Sequence, residues 1–172
     1  MKKTLTVFCL IVLAVTAVTA STFEGRTDIA LNYSWRGSNM GGLSVNSSGY
    51  SSDFPIGYTV NVNADFDPTT GYCNAITMLV APSYRYSIEG SGMDIELAIG
   101  ASLTGADIGG KGRFMLGVGG FLGAVYNLRN GMNLNIGCQV GYDMLSVPFS
   151  GGTGSYSGVF YVTPSIGFGF NY

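Results

Sequence analysis

The chain has no histidine among its 172 residues, and this limits the chemistry that its other side chains can perform. Histidine is the most frequent general base, the proton carrier of serine hydrolases and a common zinc ligand. The remaining candidates are carboxylates and arginines on the polar face of alternating segments: Asp28, Arg85, Asp94, Glu96, Arg113 and Asp143. Since several of them can pair with an opposite charge, we predict a polar network, with no catalytic, metal-binding or cofactor-binding residues.

Two other patterns suggest chemistry only weakly. Asp65, Asp67 and Asp107 fall at the ends or tips of predicted loops and could contact divalent ions, but solvated loop charges are much more common. Gly117, Gly119 and Gly123 have the look of a dinucleotide-binding loop. Their odd spacing is that of one strand face, and no βαβ unit surrounds them. We predict no site at either place.

Residues 1–20 have the features of a secretory signal peptide. Lys2 and Lys3 precede an apolar stretch, and Ala20 follows small residues suited to cleavage. The alternative, a membrane-spanning helix, is disfavoured because the apolar run is short and no stop-transfer charges follow it. We therefore predict two parts: a cleaved signal over residues 1–20 and a single domain over residues 21–172.

Charge and composition exclude several classes of partner. Charged residues make up 10% of the chain, against roughly 25% in soluble domains. Loss of Lys2 and Lys3 with the signal would change the net charge from −2 to −4. This balance argues against nucleic-acid binding and leaves no basic patch for an anionic surface.

Hydrophobic residues alternate with small or polar ones in eight segments, which is the period of a β-strand. The segments span residues 27–36, 41–49, 54–65, 75–88, 93–103, 112–127, 132–145 and 160–172, and the second has the weakest pattern. Segments of about ten alternating residues match tilted membrane strands, and single-chain bacterial barrels have even strand numbers from eight upward. The sequence predicts an all-β fold.

Residues paired across two antiparallel strands must face the same side, which predicts the register of two turns. A three-residue loop over residues 129–131 pairs Leu128 with Met132 and puts Gly131 in the left-handed position of a bulge turn. At residues 89–92, pairing Ile88 with Met93 puts Arg85 opposite Glu96. We predict an ion pair between Arg85 and Glu96 inside the barrel.

Periodicity leaves two arrangements open: apolar side chains outward against lipid, or inward around a ligand as in a soluble lipocalin-like barrel. The first is favoured because the other face is rich in glycine and small residues that suit a narrow interior. Aromatic residues also fall near segment ends, as lipid–water interfaces require. The predicted interface aromatics are Tyr33, Trp35, Tyr58, Tyr84, Tyr86, Tyr126 and Tyr142.

The amino-terminal signal, the alternating segments, the glycine-rich turns and the ending Phe168-Gly169-Phe170-Asn171-Tyr172 together resemble small eight-stranded outer-membrane proteins such as OmpX and the barrel domain of OmpA. The resemblance implies an eight-stranded antiparallel up-and-down transmembrane β-barrel in the bacterial outer membrane. It also implies that Phe168, Phe170 and Tyr172 form an assembly signal for the barrel-assembly machinery. Lipid-modifying enzymes with this fold depend on histidine, so no enzymatic activity is expected.

The leading functional prediction is a non-enzymatic, monomeric outer-membrane protein with a packed polar lumen and a structural or surface-interaction role. Its partners would be outer-membrane lipid and an external ligand or host surface molecule. External contacts would use residues 37–40, 66–74, 104–111 and 147–157, which are short connections. The alternatives are a narrow channel for small solutes and a soluble exported carrier of a hydrophobic ligand.

Overall fold

The period-two pattern becomes eight antiparallel strands in the computed structural model, which describes residues 24–51, 55–108, 111–148 and 158–172. The strands are β1 (Glu24–Trp35), β2 (Asn39–Tyr50), β3 (Ile56–Phe66), β4 (Cys73–Ile88), β5 (Met93–Ile108), β6 (Lys111–Asn127), β7 (Met132–Pro148) and β8 (Val159–Asn171). The predicted signal over residues 1–20 lies outside the described residues. In the part of the chain that is described, no helix is long and apolar enough to cross a membrane.

Each strand pairs with the next in sequence, and β8 pairs with β1 to close the barrel. At the closing seam Ile29 faces Phe168 and Leu31 faces Ile166, so both strands keep their apolar residues on one side. Closure removes the unpaired edges that an open sheet would leave. The predicted fold class is confirmed.

The two faces of the barrel differ in polarity. Leu31 and Ile136 point outward and are 67% and 63% exposed, whereas Asn32 and Asn135, their neighbours in sequence, point inward and are each 8% exposed. Apolar side chains therefore cover the outside and polar ones fill the inside. Val45 and Val62 face outward by register but are buried.

The barrel has two ends, which we name for what they contain. The terminal end holds Gly25 and Tyr172, whose backbones exchange two hydrogen bonds, and the turns at residues 89–92 and 128–131. The loop end holds Gly37 and the connection between β3 and β4. Both predicted turn registers are confirmed: Ile88 pairs with Met93, and the Leu128 amide donates to the Met132 carbonyl, with Gly131 at φ 77°.

Six of the eight strands are longer than predicted, and this shortens the external connections. The weak second segment is a full strand of 12 residues, β2, that begins at Asn39. Strand β5 continues to Ile108, so most of the predicted connection at residues 104–111 is strand. Much of the predicted connection at residues 147–157 lies outside the described residues.

A bulge in β7 changes the alternation near the loop end. The register between β6 and β7 shifts between Leu116 and Gly117, so that Met144 and Leu145 both face outward. A bulge places two residues opposite one and bends the strand. After it, Ser146 returns to the inside opposite Met115, a change of face that parity alone does not predict.

Candidate functional site: the luminal polar network

An arginine–carboxylate cluster fills the terminal half of the lumen. Arg26 and Asp28 lie two residues apart on β1, hence on one face, and the Arg26 Nε donates to Asp28 Oδ2 at 2.8 Å. The Nη2 of Arg26 reaches across the lumen to Glu96 on β5. Glu96 also accepts a hydrogen bond from the Thr59 hydroxyl and is fully buried. Buried charges require such pairing, because desolvation of an isolated ion costs several kcal/mol.

Nearer the terminal rim, Arg85 occupies a different environment. Its Cζ lies 4.6 Å from the centroid of the Tyr50 ring, and its Nη2 is 3.3 Å from Glu24 Oε2. The register does put Arg85 opposite Glu96, but Glu96 binds Arg26, so the predicted Arg85–Glu96 ion pair is wrong. Arg85 instead extends to the rim, where its side chain is 25% exposed and keeps part of its hydration.

A chain of uncharged polar side chains crosses the middle of the lumen. Asn32 donates to Ser44 at 2.9 Å, and Ser44 donates to Asn63 at 2.5 Å. Asn63 then donates to Gln139 at 2.6 Å, and Gln139 donates to the Tyr161 hydroxyl at 3.0 Å. The bond between Asn63 and Gln139 joins β3 to β7 and so connects opposite walls of the barrel.

A second arginine organises the loop half of the lumen. Arg36, directly after β1, pairs with the fully buried Asp143 and donates to the Thr77 hydroxyl at 2.7 Å. Its Cζ lies 4.3 Å from the centroid of the Tyr161 ring, within the range of a cation–π contact. Asp143 also accepts from Thr104 at 3.3 Å. Arg36, which follows β1, therefore contacts side chains of β4, β7 and β8 at this end.

Four apolar side chains interrupt these polar groups on the side formed by β4, β5 and β6. We call them the dry cluster: Leu79, Ala81, Ala98 and Phe121. The Phe121 ring packs where glycines leave room for it. A Cβ added at Gly123 would lie 2.8 Å from the ring, and one added at Gly137 would lie 2.7 Å from it.

Shallow cavities open at both mouths of the barrel. The terminal one, of about 390 Å³, is lined by residues that include Arg26, Tyr50, Arg85 and Asp94. The other, of about 240 Å³, is lined by residues that include Arg36 and Asp107. Between them lie the dry cluster and three polar tiers: the Arg26 cluster, the uncharged chain from Asn32 to Tyr161, and the Arg36 cluster.

Of the six predicted network residues, Asp28, Glu96 and Asp143 belong to the two arginine clusters. Asp94 is buried and accepts from Asn127 at 2.7 Å, and Arg113 is half-buried and donates to Ser146 at 3.3 Å. The central cations, Arg26 and Arg36, are absent from the predicted set. Their even numbers give them the parity of Asp28, so this signal was present in the sequence.

The loop between β3 and β4 is held together by hydrogen bonds to one carboxylate. Asp67 Oδ1 accepts from the backbone amides of Thr69 and Thr70 at 2.7 and 3.0 Å, and from the Thr69 hydroxyl. These bonds favour the ionised carboxylate and lower the pKa of Asp67 below its ordinary value. They close the loop on itself at the surface.

The described residues show no arrangement suited to metal binding. No three histidine, cysteine, aspartate or glutamate side chains in this part of the chain lie close enough to hold an ion. Cys73 and Cys138 are free thiols. The luminal carboxylates of Asp28, Glu96 and Asp143 instead pair with arginine side chains, an arrangement that holds the strands of the barrel together.

The closed barrel, with apolar residues outside and paired charges inside, defines the class of small transmembrane β-barrels. No protein-family model matches the chain, and neither does any curated protein. Solved structures do match. Neisserial surface protein A, NspA, is similar with a TM-score of 0.61 and 15% identity over 88% of this chain and 98% of that protein.

Two further structures show the same likeness. The N-terminal β-barrel domain of OprF from Pseudomonas aeruginosa has a TM-score of 0.56 and 12% identity, over 88% of this chain and all of that domain. The attachment invasion locus protein Ail of Yersinia pestis has a TM-score of 0.55 and 10% identity over 88% and 100%, and is also known in complex with the heparin analogue sucrose octasulfate. The predicted resemblance to small eight-stranded outer-membrane barrels is confirmed in fold, and the predicted location agrees with it.

Proposed function

We propose that this chain is a non-enzymatic, integral outer-membrane protein with a structural or surface-interaction role. The observation that carries the proposal is the inverted polarity of the barrel: exposed apolar side chains outside and paired, buried charges inside. A soluble carrier of a hydrophobic ligand requires the reverse, with an apolar cavity. The polar lumen therefore argues against that alternative.

Export and assembly follow from both ends of the sequence. Residues 1–20 would direct export and be cleaved. Phe168, Phe170 and Tyr172 would serve as the signal read by the barrel-assembly machinery. All three are about half exposed on the outside of β8 or directly after it, so an assembly factor could reach them before the seam with β1 closes.

Outer-membrane lipid would be the main partner, and the protein would act as a monomer. Seven aromatic side chains would lie at the two lipid–water interfaces, where an amphipathic ring can bury its body and hydrate its hydroxyl or indole group. Six of them are 44–58% exposed and Tyr58 is partly covered: Tyr33, Trp35, Tyr58, Tyr84, Tyr86, Tyr126 and Tyr142.

The lumen would be closed to solutes. Side chains of eight strands can just fill the interior, and the luminal network of Asp28, Arg85, Asp94, Glu96, Arg113 and Asp143 would act as a fixed polar plug. A narrow channel is the second candidate function. The cavities of about 390 and 240 Å³ at the two mouths favour it, because each gives water direct access to a charged tier.

The loop end would make the external contacts. Its described carboxylates include the partly exposed Asp67 and the exposed Asp107, while Arg36 is buried in its pair with Asp143. This charge favours a neutral or cationic partner over a sulfated polymer of the kind represented in the Ail complex. A host surface molecule bound here would be recognised through a small area, since the described loops are short.

Envelope fractionation tests the proposal. Membranes from cells that express the full chain are separated into inner and outer fractions, and each is run on a gel unboiled and boiled. We expect the protein in the outer membrane, with an unboiled band that migrates differently from the boiled band, because a closed barrel resists detergent until heated. Recovery in the soluble periplasmic fraction, beside a soluble marker protein, would contradict it.

A further inference from the structure

Both halves of the lumen contain buried polar atoms that have no protein hydrogen-bond partner among the described residues and that could bind water. The Asn133 Oδ1 and Asn135 Nδ2 atoms in the terminal half, and both carboxylate oxygens of Asp65 in the loop half, are buried without a protein hydrogen bond among the described residues. Buried polar groups in proteins are nearly always satisfied, and ordered water satisfies those that side chains do not reach. Each half of the lumen is therefore suited to hold bound water.

The dry cluster lies between these two halves. Along β6, Gly123 is on the terminal side of Phe121, and a Cβ added there would lie 3.9 Å from the Cβ of Glu96. Gly119 is on the loop side, and a Cβ added there would lie 3.0 Å from the Tyr161 hydroxyl. The Phe121 ring thus lies between Glu96, which pairs with Arg26 in the terminal half, and Tyr161, which contacts Arg36 in the loop half.

We infer that the lumen is a hydrated passage interrupted near its middle, where the Phe121 ring of the dry cluster lies opposite Gln139 of the uncharged polar chain, and that this ring is the element that blocks water. Polar side chains form hydrogen bonds with water, and water molecules can move from one polar tier to the next when these side chains fluctuate. An apolar constriction offers no such bonds and excludes water by dewetting. Leu79, Ala81 and Ala98 line one side of the ring with apolar groups, and Gln139 lies on its other side. Removal of the ring would therefore join the two hydrated halves. The inference rests on the proposed membrane location.

The test compares osmotic water permeability of phospholipid vesicles that contain the full chain, measured by stopped-flow light scattering. The main variant is Phe121→Ala, and Phe121→Val is a milder one that retains an apolar side chain. Leu122→Ala is the matched control, since Leu122 is adjacent but points outward and is 56% exposed. Glu96→Gln loosens the charged tier and leaves the ring in place.

We expect a several-fold increase in water permeability for Phe121→Ala, a smaller increase for Phe121→Val, and wild-type values for Leu122→Ala and Glu96→Gln. Each vesicle preparation is first checked for the heat-modifiable band of an inserted barrel. Folded Phe121 variants with wild-type permeability would overturn the inference, as would a Glu96→Gln variant as permeable as Phe121→Ala. If the wild-type chain itself does not insert, the proposed membrane location fails, and the inference fails with it.

Discussion

At the scale of single residues, two arginines that point into the lumen hold three of its buried carboxylates in ion pairs. Arg26 faces two carboxylates, and Arg36 combines an ion pair, a hydroxyl and an aromatic ring. A planar guanidinium with five donors suits such sites, because it can serve several acceptors at once. Parity puts both residues on the polar face, but their partners depend on which walls oppose each other across the closed barrel.

Replacement of Arg26 tests the terminal cluster. Arg26→Met should lower the free energy of unfolding by about 3–5 kcal/mol, because Asp28 and Glu96 would remain as buried charges without a cation. Adding Glu96→Gln to this variant should restore part of the loss. Urea unfolding in lipid vesicles, followed by tryptophan fluorescence, gives the values.

Arg129→Met is the control for that series, since Arg129 lies exposed in the turn between β6 and β7. It should change the unfolding free energy by no more than about 0.5 kcal/mol. If Arg26→Met and Arg129→Met had equal effects, the cluster would have no energetic role.

Asp67 provides a pH-dependent feature outside the strands. Its pKa is lowered by the Thr69 hydroxyl and by the amides of Thr69 and Thr70, so these bonds stabilise the loop above the ordinary pKa of aspartate. The contribution is lost as pH falls through the lowered value. Carbon-detected NMR titration should show a midpoint below that of an unstructured aspartate, and Thr69→Val should raise it part of the way. An unshifted midpoint in the wild-type protein would contradict the loop geometry.

At the scale of the elements, the period-two pattern was sufficient to predict all eight strands and two turn registers. This pattern is local: each strand has one apolar face, and a slip of one residue would invert it. Three features were not predictable from this pattern. They are the β7 bulge opposite Leu116 and Gly117, the extension of β5 to Ile108, and the ion pair between Arg85 and Glu24. They depend on the tilt and closure of the whole barrel.

The seam between β8 and β1 makes a sharper prediction about close packing. A Cβ added at Gly167 would lie 2.1 Å from the carbonyl oxygen of Ile29 and 2.5 Å from the Cα of Ala30. These are backbone atoms that cannot rotate away, so Gly167→Ala should destabilise the barrel by about 1–3 kcal/mol.

Gly105→Ala is the matched control for the seam, because a Cβ at Gly105 meets nothing within 4 Å. Its effect on the unfolding free energy should stay within about 0.5 kcal/mol. Comparable losses in the two variants would show that the seam is no more tightly packed than the open wall at Gly105.

At the scale of the whole molecule, the account depends on which medium the apolar wall contacts. In water, such a wall would be a very large exposed hydrophobic surface, of a size that soluble monomers do not present. In lipid, the same side chains are solvated, and only the closed backbone and the paired interior are needed to avoid unsatisfied polar groups. The paired charges inside and the exposed apolar side chains outside thus have one cause: the barrel has the reverse of a soluble protein's polarity.

The single tryptophan of the chain allows the most direct measurement of this claim. Trp35 ends β1 at the loop end and is 46% exposed on the outer wall. In vesicles made with lipids brominated at different depths along the acyl chain, we expect its fluorescence to be quenched. The quenching should be strongest for bromines nearest the headgroups, and soluble quenchers should reduce the emission less than they do for free tryptophan. A lipid-facing wall would be contradicted if bromine at no depth quenched the emission and a soluble quencher reduced it as strongly as it does for free tryptophan.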